Sequence, residues 1–301
     1  MSKKMLLIMN PFSGKMQCRN YLFDMVDIFS KDDYEVTVCP TKKRFDATEL
    51  TIKKGNEYDL IACCGGDGTL NEVITGAMSI ENAPPIGYIP SGTTNDLATS
   101  LKMPKNMVDA ALNVVQGVPF LYDIGTFNNQ YFAYIAAFGA FTEVSYQTSQ
   151  QVKNSLGHLA YILEGIRRLT EIKAYHLIIE HDGGTVEGDY IFGSITNSTS
   201  VAGLLTLDKE KVRLNDGLFE LLLIKSPKNI IELNGIITGL LTQNYDHNYI
   251  SLFHSSKVKI YSEVEIPWTL DGENGGRHTN VDIVNNPRSV TLMVSEEVAE
   301  G

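Results

Sequence analysis

Through the first 116 residues, short apolar runs alternate with segments in which apolar residues recur at helical spacing. Short apolar runs with the length of strands occupy 5–9, 34–39, 59–64 and 85–90. Between and after them, the apolar residues recur at the i, i+3, i+4, i+7 spacing of a helix, at 22–29, 46–54, 70–77, 94–101 and 105–116. Strands that alternate with helices predict a parallel, doubly wound α/β sheet with right-handed crossovers.

After about Asp123 the apolar runs come closer together. The segments "NNQ" (128–130) and "DGG" (182–184) separate some of them and are typical of hairpin turns. Helical spacing returns only near 155–171 and 228–242. We therefore predict an α/β domain over 1–123 and a mainly antiparallel β-sandwich over 124–288. The pattern leaves open to which domain the last apolar strand, 289–294, belongs.

Composition narrows the functional classes. The chain has 301 residues, of which 43% are hydrophobic, and a formal net charge of −11. An acidic chain lacks the basic surface of a non-specific nucleic-acid binder, and broad electrostatic adhesion to an anionic membrane is disfavoured. The four cysteines match no zinc-ligand spacing, so we predict free thiols in a reducing cytoplasm. No segment has the features of a signal peptide or a membrane-spanning helix.

Three glycine-rich loops follow strands of the predicted parallel sheet. They are "NPFSGK" (10–15), "GGDGTLNE" (65–72) and "PSGTTNDLA" (90–98). Glycine lets main-chain amides approach a ligand closely, and the helix predicted near Thr69 adds unpaired N–H groups that suit phosphate. Asp67 has the oxygen chemistry that Mg²⁺ prefers. The alternative for any single loop is turn geometry alone, and none of the loops matches the Walker A or the dinucleotide-binding pattern.

Together, "GGDGTLNEV", "NPFSGK" and "PSGTTNDLA" resemble the diacylglycerol kinase catalytic-domain family, and most closely its soluble bacterial branch. Two further motifs follow in order, "LNDGLFE" (214–220) and "LDGE" (270–273). "GGDGT" alone is less specific, because NAD kinases and phosphofructokinases carry versions of it. The resemblance covers nearly the whole chain. It implies a nucleotide-binding α/β domain, a β-sandwich for the lipid substrate, and a C-terminal segment, 289–301, that returns to the first domain.

The resemblance also implies site residues. Asp67 and Asp96 would be catalytic, with Asp67 on Mg²⁺ and the phosphates and Asp96 in the same polar network. The residues expected around ATP are Asn10, Pro11, Phe12, Ser13, Gly14, Thr41, Gly65, Gly66, Asp67, Gly68, Thr69, Leu70, Asn71 and Thr93. For Thr69, capping of a helix is an alternative with equal weight.

Two motifs of the second domain carry further roles in the family. Glu273 is expected to be the general base that takes the proton of the lipid hydroxyl. Asp216, with the carbonyls of Arg213 and Leu218, is expected to hold a structural Mg²⁺. From the residues alone, a turn is the favoured explanation of "LDGENG" and a sufficient explanation of "NDG".

We therefore predict a phosphotransferase that converts diacylglycerol to phosphatidic acid in phospholipid biosynthesis, with ATP and Mg²⁺ as cofactors. It would be cytoplasmic and would contact the inner membrane surface transiently, with Arg167 and Arg168 as a candidate docking region; a homodimer is left open. The alternatives are a kinase for another lipid alcohol (phosphatidylglycerol or a sphingoid-like lipid), an NAD kinase, and a non-catalytic nucleotide- or lipid-binding protein.

Overall fold

The structure, a computed structural model, describes residues 2–139, 173–198, 200–201, 205–206, 213–245 and 248–300. The chain divides into two compact units. The first comprises Met1–Ile124 with Pro287–Gly301, and the second comprises Gly125–Asn286. The helix predicted near 155–171 and the pair Arg167 and Arg168 lie outside the described residues.

The first unit has a mixed α/β architecture. Its α-helices are α1 (Gln17–Asn20), α2 (Leu22–Lys31), α3 (Asp46–Lys54), α4 (Asp67–Ala77), α5 (Asp96–Ser100), α6 (Met107–Gln116) and α8 (Glu296–Glu300). Two short 3₁₀ helices lie at Gly14–Met16 and Gly55–Glu57. Its strands are β1 (Lys3–Met9), β2 (Tyr34–Pro40), β3 (Leu60–Gly65) and β4 (Ile86–Pro90), and β5 (Val118–Phe127) begins in this unit. These bounds match the apolar periods of the sequence closely.

The four strands of the first unit form a parallel sheet. β1 pairs with β2 on one side and with β3 on the other, and β3 pairs with β4. Met25 and Phe29 of α2 and Val114 of α6 belong to the buried cluster that covers one face of this sheet. In this arrangement the carboxyl ends of β1, β3 and β4 lie at one edge, where the three glycine loops begin.

The C-terminal strand belongs in part to each unit. β15 (Glu273–Val294) starts directly after the "LDG" motif, and its end pairs in parallel with β4 through Leu292 and Ile86. The backbone N–H of Arg288 donates to Asp123 Oδ1 at 2.7 Å. Segment 289–294 therefore lies in the first unit. The local pattern left this open because it does not reveal that one strand runs through all 22 residues.

The second unit is dominated by antiparallel sheet. Its other strands are β6 (Gln130–Phe132), β7 (Ile135–Gly139), β8 (Tyr175–His181), β9 (Gly184–Thr196), β10 (Ser200–Val201), β11 (Leu205–Thr206), β12 (Phe219–Lys225), β13 (Ile250–Ser255) and β14 (Lys257–Leu270), with helix α7 (Ile230–Thr242). The "NNQ" and "DGG" segments form hairpins, since Phe127 pairs with Gln130 and His181 pairs with Gly184.

The core of the second unit is aromatic. The Trp268 ring contacts Phe127 and Phe138 edge-on, with ring centroids 5.0 and 4.9 Å apart. Such edge-to-face pairs add to the free energy gained from burial and fix the strand register. Along the part of the chain that the structure describes, no helix combines the length and the apolar content needed to cross a bilayer.

Candidate active site

Asn10 organises the first glycine loop, directly after β1. Its backbone N–H donates to the carbonyl of Cys64, and its Oδ1 accepts from the N–H of Phe12 at 3.0 Å. Its Nδ2 donates to Thr69 Oγ1 at 3.2 Å, which joins this loop to the helix of the second loop. The Ser13 hydroxyl donates to the carbonyl of Asn10. The Asn10 side chain thus stabilises the turn of the first loop and links it to helix α4.

The second loop leads from β3 into α4. Gly66 is the N-cap residue of this helix, no side-chain hydrogen bond caps it, and Gly68 in the first turn is exposed. Thr69 lies in the first turn and is 8% exposed. The predicted alternative that Thr69 caps the helix is wrong, because Thr69 comes three residues after the cap and its hydroxyl accepts from Asn10.

The second and third loops touch through their backbones. A Cβ atom added to Gly92 would lie 2.6 Å from Cα of Gly66, so Gly92 has no room for a side chain, and a Cβ atom added to Gly66 would lie 3.2 Å from Cα of Gly92. The first loop approaches just as closely, since a Cβ on Gly14 (φ +33°) would lie 1.9 Å from the carbonyl oxygen of Ser91. The main chains of the three loops are therefore in close contact at their glycines. Such closely packed backbone suits the binding of a phosphate chain.

Asp67 is the acidic group where these loops meet. Its Oδ2 accepts from the Thr94 hydroxyl at 3.2 Å and from the backbone N–H of Asp96 at 3.1 Å. The structure thus brings Asp67 and Asp96 together, and the contact runs through the main chain of Asp96. Asn95, with φ +52°, forms the turn between Thr94 and Asp96, and its Oδ1 accepts from the N–H of Gly92.

The other predicted ATP-site residues divide by exposure. Pro11, Thr41, Gly65 and Leu70 are buried and support the loops, and the Thr41 N–H donates to the carbonyl of Met9. The exposed ones are Phe12, Gly68 and Thr93, and Asn71 is half-buried. Phe12 is 65% exposed, with the Arg19 guanidinium 5.3 Å from its ring centroid.

The "LDGE" motif forms the tight hairpin between β14 and β15. Asp271 and Gly272 have φ +47° and +80°, as a two-residue type I′ turn requires, and Leu270 pairs with Glu273. Asp271 is 5% exposed, and its carboxylate accepts the backbone N–H groups of Ala133, Tyr134 and Ile135 at 2.6–3.1 Å. Glu273, the first residue of β15, is exposed. The turn interpretation therefore holds for Asp271 and Gly272, and the role of Glu273 stays a prediction.

The "NDG" loop precedes β12. Asp216 Oδ1 accepts the backbone N–H of Leu218 at 3.0 Å, and Gly217 has φ +81°. The carbonyl of Leu214 accepts from Asn197 Nδ2. Within the described residues, no group of three or more His, Cys, Asp or Glu side chains is placed to hold a metal ion. A cation in this loop would therefore depend on Asp216 and main-chain carbonyls.

Several acids are buried that the sequence pattern did not single out. Asp123 is fully buried and accepts from the Arg288 N–H, and Asp271 was regarded only as a turn former. Glu220 is 2% exposed, and burial, with a smaller contribution from the nearby charge of Asp216, raises its pKa to about 8. An acid inside an apolar strand, as in "LFELLLIK", is the signal that could have identified Glu220.

Comparison with known proteins identifies the family of the chain. The model of the diacylglycerol kinase catalytic domain matches residues 4–127. The chain is 34% identical to "Diacylglycerol kinase" of Bacillus subtilis (strain 168) over 301 residues, which cover 99% of this chain and 98% of that protein. It is also 34% identical to "Diacylglycerol kinase" of Staphylococcus aureus (strain MRSA252), over 99% of this chain and 94% of that protein. The chain belongs to the diacylglycerol kinase family.

A crystal structure of a diacylglycerol kinase from Bacillus anthracis str. Sterne shares the fold of this family member, with a TM-score of 0.77, 23% identity and 98% coverage of each chain. A second crystal structure from that organism gives a TM-score of 0.81. The prediction of the family, and with it that of a lipid kinase that uses ATP, is confirmed.

Proposed function

We propose that the chain transfers the γ-phosphate of ATP to the hydroxyl of diacylglycerol, giving phosphatidic acid. The observation that carries this proposal is the position of Asp67. Its Oδ2 is fixed by Thr94 and by the amide of Asp96 where three glycine loops meet. Phosphoryl transfer needs little covalent chemistry from a protein; it needs oriented donors and fixed charge around the phosphates.

In this proposal the first unit is a doubly wound nucleotide-binding domain. The loop amides and the start of α4 bind the phosphates, and the predicted contacts from Asn10 to Gly14 and from Gly65 to Asn71, with Thr41 and Thr93, surround ATP. Mg²⁺, when bound, neutralises charge on the phosphate oxygens. The residues fit this ion, because the Asp67 carboxylate offers a hard oxygen ligand beside small residues and backbone. Asp96 keeps Asp67 in place through its amide.

The second unit is proposed to be a β-sandwich that supplies the lipid site and the base. Glu273 accepts the proton of the lipid hydroxyl at its carboxylate as that oxygen attacks the phosphorus. The rigid type I′ turn before Glu273, fixed by the buried Asp271, limits the motion of its backbone. Exposure of Glu273 suits a group that exchanges a proton with substrate and solvent.

The test is ATP- and Mg²⁺-dependent phosphate transfer to mixed micelles that hold a panel of lipid alcohols. We expect transfer to diacylglycerol, and a roughly 10²–10⁴-fold loss in Glu273→Gln, the range typical of a lost general base. Glu263→Gln, which removes an exposed acid from β14, is the matched control and should keep full activity.

Other outcomes would redirect the proposal. Transfer to phosphatidylglycerol or a sphingoid-like lipid would keep the mechanism and change the acceptor. Transfer to NAD would indicate an NAD kinase, and ATP binding without any transfer would indicate a binding protein.

We further propose that Asp216, with the carbonyls of Arg213 and Leu218, holds a structural Mg²⁺. The support is the tight Gly217 turn, whose Leu218 N–H donates to the Asp216 carboxylate, so that main chain and carboxylate lie side by side. Millimolar Mg²⁺ should raise the melting temperature of the wild type more than that of Asp216→Asn, whereas Asp189→Asn, a control on β9, should behave as the wild type. Equal increases in melting temperature in all three proteins would show that this loop does not bind Mg²⁺.

Transient contact with the inner membrane surface completes the proposal, because the acceptor is a membrane lipid. Reversal of the charges of Arg167 and Arg168 should weaken binding to anionic vesicles, by ~1 kcal/mol for each charge near the surface. Vesicle binding that keeps its strength and salt dependence would exclude this region.

Light scattering at assay concentration distinguishes a homodimer from a monomer.

A further inference from the structure

Two cysteines lie in contact beneath the glycine loops of the first unit. Cys18 is on α1, just after the first loop, and Cys64 is near the end of β3, just before Gly65. Both are fully buried, and their sulfur atoms are 2.9 Å apart. Both are free thiols. The sulfurs need to approach by only about 1 Å to reach the ~2.05 Å length of a disulfide bond.

A chain of hydrogen bonds connects this pair to the first and third loops. Cys64 Sγ donates to Cys18 Sγ, and Cys18 Sγ donates to Ser91 Oγ at 2.9 Å. The hydroxyls of Ser91 and Ser13 are 2.6 Å apart, and Ser13 Oγ lies 3.3 Å from Cys18 Sγ. Ser13 and Ser91 belong to the loops proposed to hold the phosphates. A change at Cys18 therefore reaches both loops directly.

These contacts also activate Cys18. The hydrogen bond with Cys64 is the largest cause that lowers the pKa of Cys18, to about 6; those with Ser13 and Ser91 act in the same direction, and burial opposes them. The same bond raises the pKa of Cys64, as does burial. Cys18 is thus the more acidic thiol of the pair, and Cys64 keeps its proton to a higher pH. Cys63 differs, because it points to the opposite face of β3 and burial raises its pKa.

We propose that Cys18 and Cys64 are an oxidative modification site whose reactant is a hydroperoxide. The Cys18 sulfur attacks one peroxide oxygen and the O–O bond breaks, giving a sulfenic acid at Cys18 and, with the thiol proton, one water. The Cys64 sulfur then attacks the Cys18 sulfur, the S–OH bond breaks, and hydroxide leaves as water with the Cys64 proton. In total two thiols and hydrogen peroxide give one disulfide and two waters, and a dithiol reductant reverses the change.

The consequence for activity rests on the proposed function, whereas the thiol chemistry does not. The disulfide removes the hydrogen bond from Cys18 to Ser91 and joins α1 covalently to β3. ATP should then bind about tenfold more weakly, the equivalent of one lost hydrogen bond. Because both sulfurs are buried, oxidation requires opening of the first loop, so bound ATP should slow it.

The test uses the full-length protein treated with hydrogen peroxide, alkylated and mapped by peptide mass. In the wild type we expect a Cys18–Cys64 linked peptide, reversed by dithiothreitol and formed more slowly with ATP and Mg²⁺ present. Cys39→Ser, a matched control at a half-buried cysteine, should form the same link, and Cys18→Ser should not. If Cys18→Ser does not fold, the wild-type peptide map still decides the question. Absence of the link, or earlier oxidation of Cys39 or Cys63, would overturn the proposal.

ATP binding by the oxidised and reduced wild type, measured by calorimetry, tests the consequence. A linked protein with weaker ATP binding supports both parts. If the Cys18–Cys64 disulfide forms and the ATP affinity is unchanged, the modification site is supported and its effect on the loops is excluded. A reduced protein that binds no ATP contradicts the proposed function instead, and the peptide map stands independently.

Discussion

Asp67 in the first unit and Asp271 in the second each follow the buried end of a strand and accept backbone N–H donors, but their surroundings differ. Asp271 is almost fully buried and accepts three consecutive amides of one segment. Asp67 is half-buried and accepts a hydroxyl and an amide from a second loop. The first arrangement fixes a turn, whereas the second holds a carboxylate at a surface of amides and glycines. Burial and the type of donor thus distinguish an acid that stabilises the fold from one suited to a ligand.

The largest effect should follow removal of the charge of Asp67. We expect Asp67→Asn to lower the rate of phosphate transfer by roughly 10³-fold, because a fixed charge at the phosphates is lost. The melting temperature should change little, since the amide oxygen still accepts from Asp96. Asp24→Asn, at an exposed acid of α2, is the control for charge removal. Activity of Asp67→Asn within twofold of the wild type would place the reaction elsewhere.

For Asp271, in contrast to Asp67, we expect substitution to lower the stability of the protein. Asp271→Ala leaves three buried amides without an acceptor, so the free energy of unfolding should fall by about 3 kcal/mol. Urea denaturation measures this loss, with Glu273→Gln of the same motif as the control that keeps its stability. If Asp271→Asn abolished phosphate transfer at an unchanged melting temperature, Asp271 rather than Glu273 would have the chemical role.

Glu220 is a second buried acid of this unit, and we expect its ionisation to lower the free energy of unfolding. The raised pKa means that between pH 4.5 and about 8 the folded state keeps a proton that the unfolded chain releases. The free energy of unfolding therefore falls as the pH rises through this window, and the full loss is present above it. Glu220→Gln should be more stable than the wild type by about 2 kcal/mol at pH 8 and nearly equal to it at pH 5.

Urea denaturation at four pH values between 5 and 8 measures the effect of Glu220. Glu180→Gln, at an exposed acid of β8, is the control and should follow the wild type at every pH. A Glu220→Gln variant that loses stability at pH 8 would mean that the ionised carboxylate has a stabilising role.

The smallest expected effect distinguishes two neighbouring threonines. The sequence analysis assigned Thr93 to the ATP site, but the structure places the hydroxyl of Thr94 on Asp67. Thr94→Val should lower the rate of transfer about fivefold, as expected for one lost hydrogen bond of ~1 kcal/mol. Thr93→Val is the matched comparison. A larger loss in Thr93→Val would show that Thr93 contacts the nucleotide directly.

Much of the fold follows from local patterns. Helix α3 covers the predicted residues 46–54, and the hairpins at "NNQ" and "DGG" form where turn residues interrupt apolar runs. Both depend on interactions between residues close in the chain. The pairing of 289–294 with β4 was left open by the local pattern, because nothing near these residues indicates a partner about 200 positions away.

The candidate site divides in the same way. The sequence by itself determined which loops are glycine-rich, that each follows a strand, and that Asp67 lies among them, because backbone freedom and helix termini are local properties. Only the tertiary structure decided that Asn10 binds Thr69, that Thr94 reaches Asp67, and that Cys18 contacts Cys64. Each of these contacts joins residues 27 to 59 positions apart. Their geometry is set by the packing of whole strands and helices, which no local pattern contains.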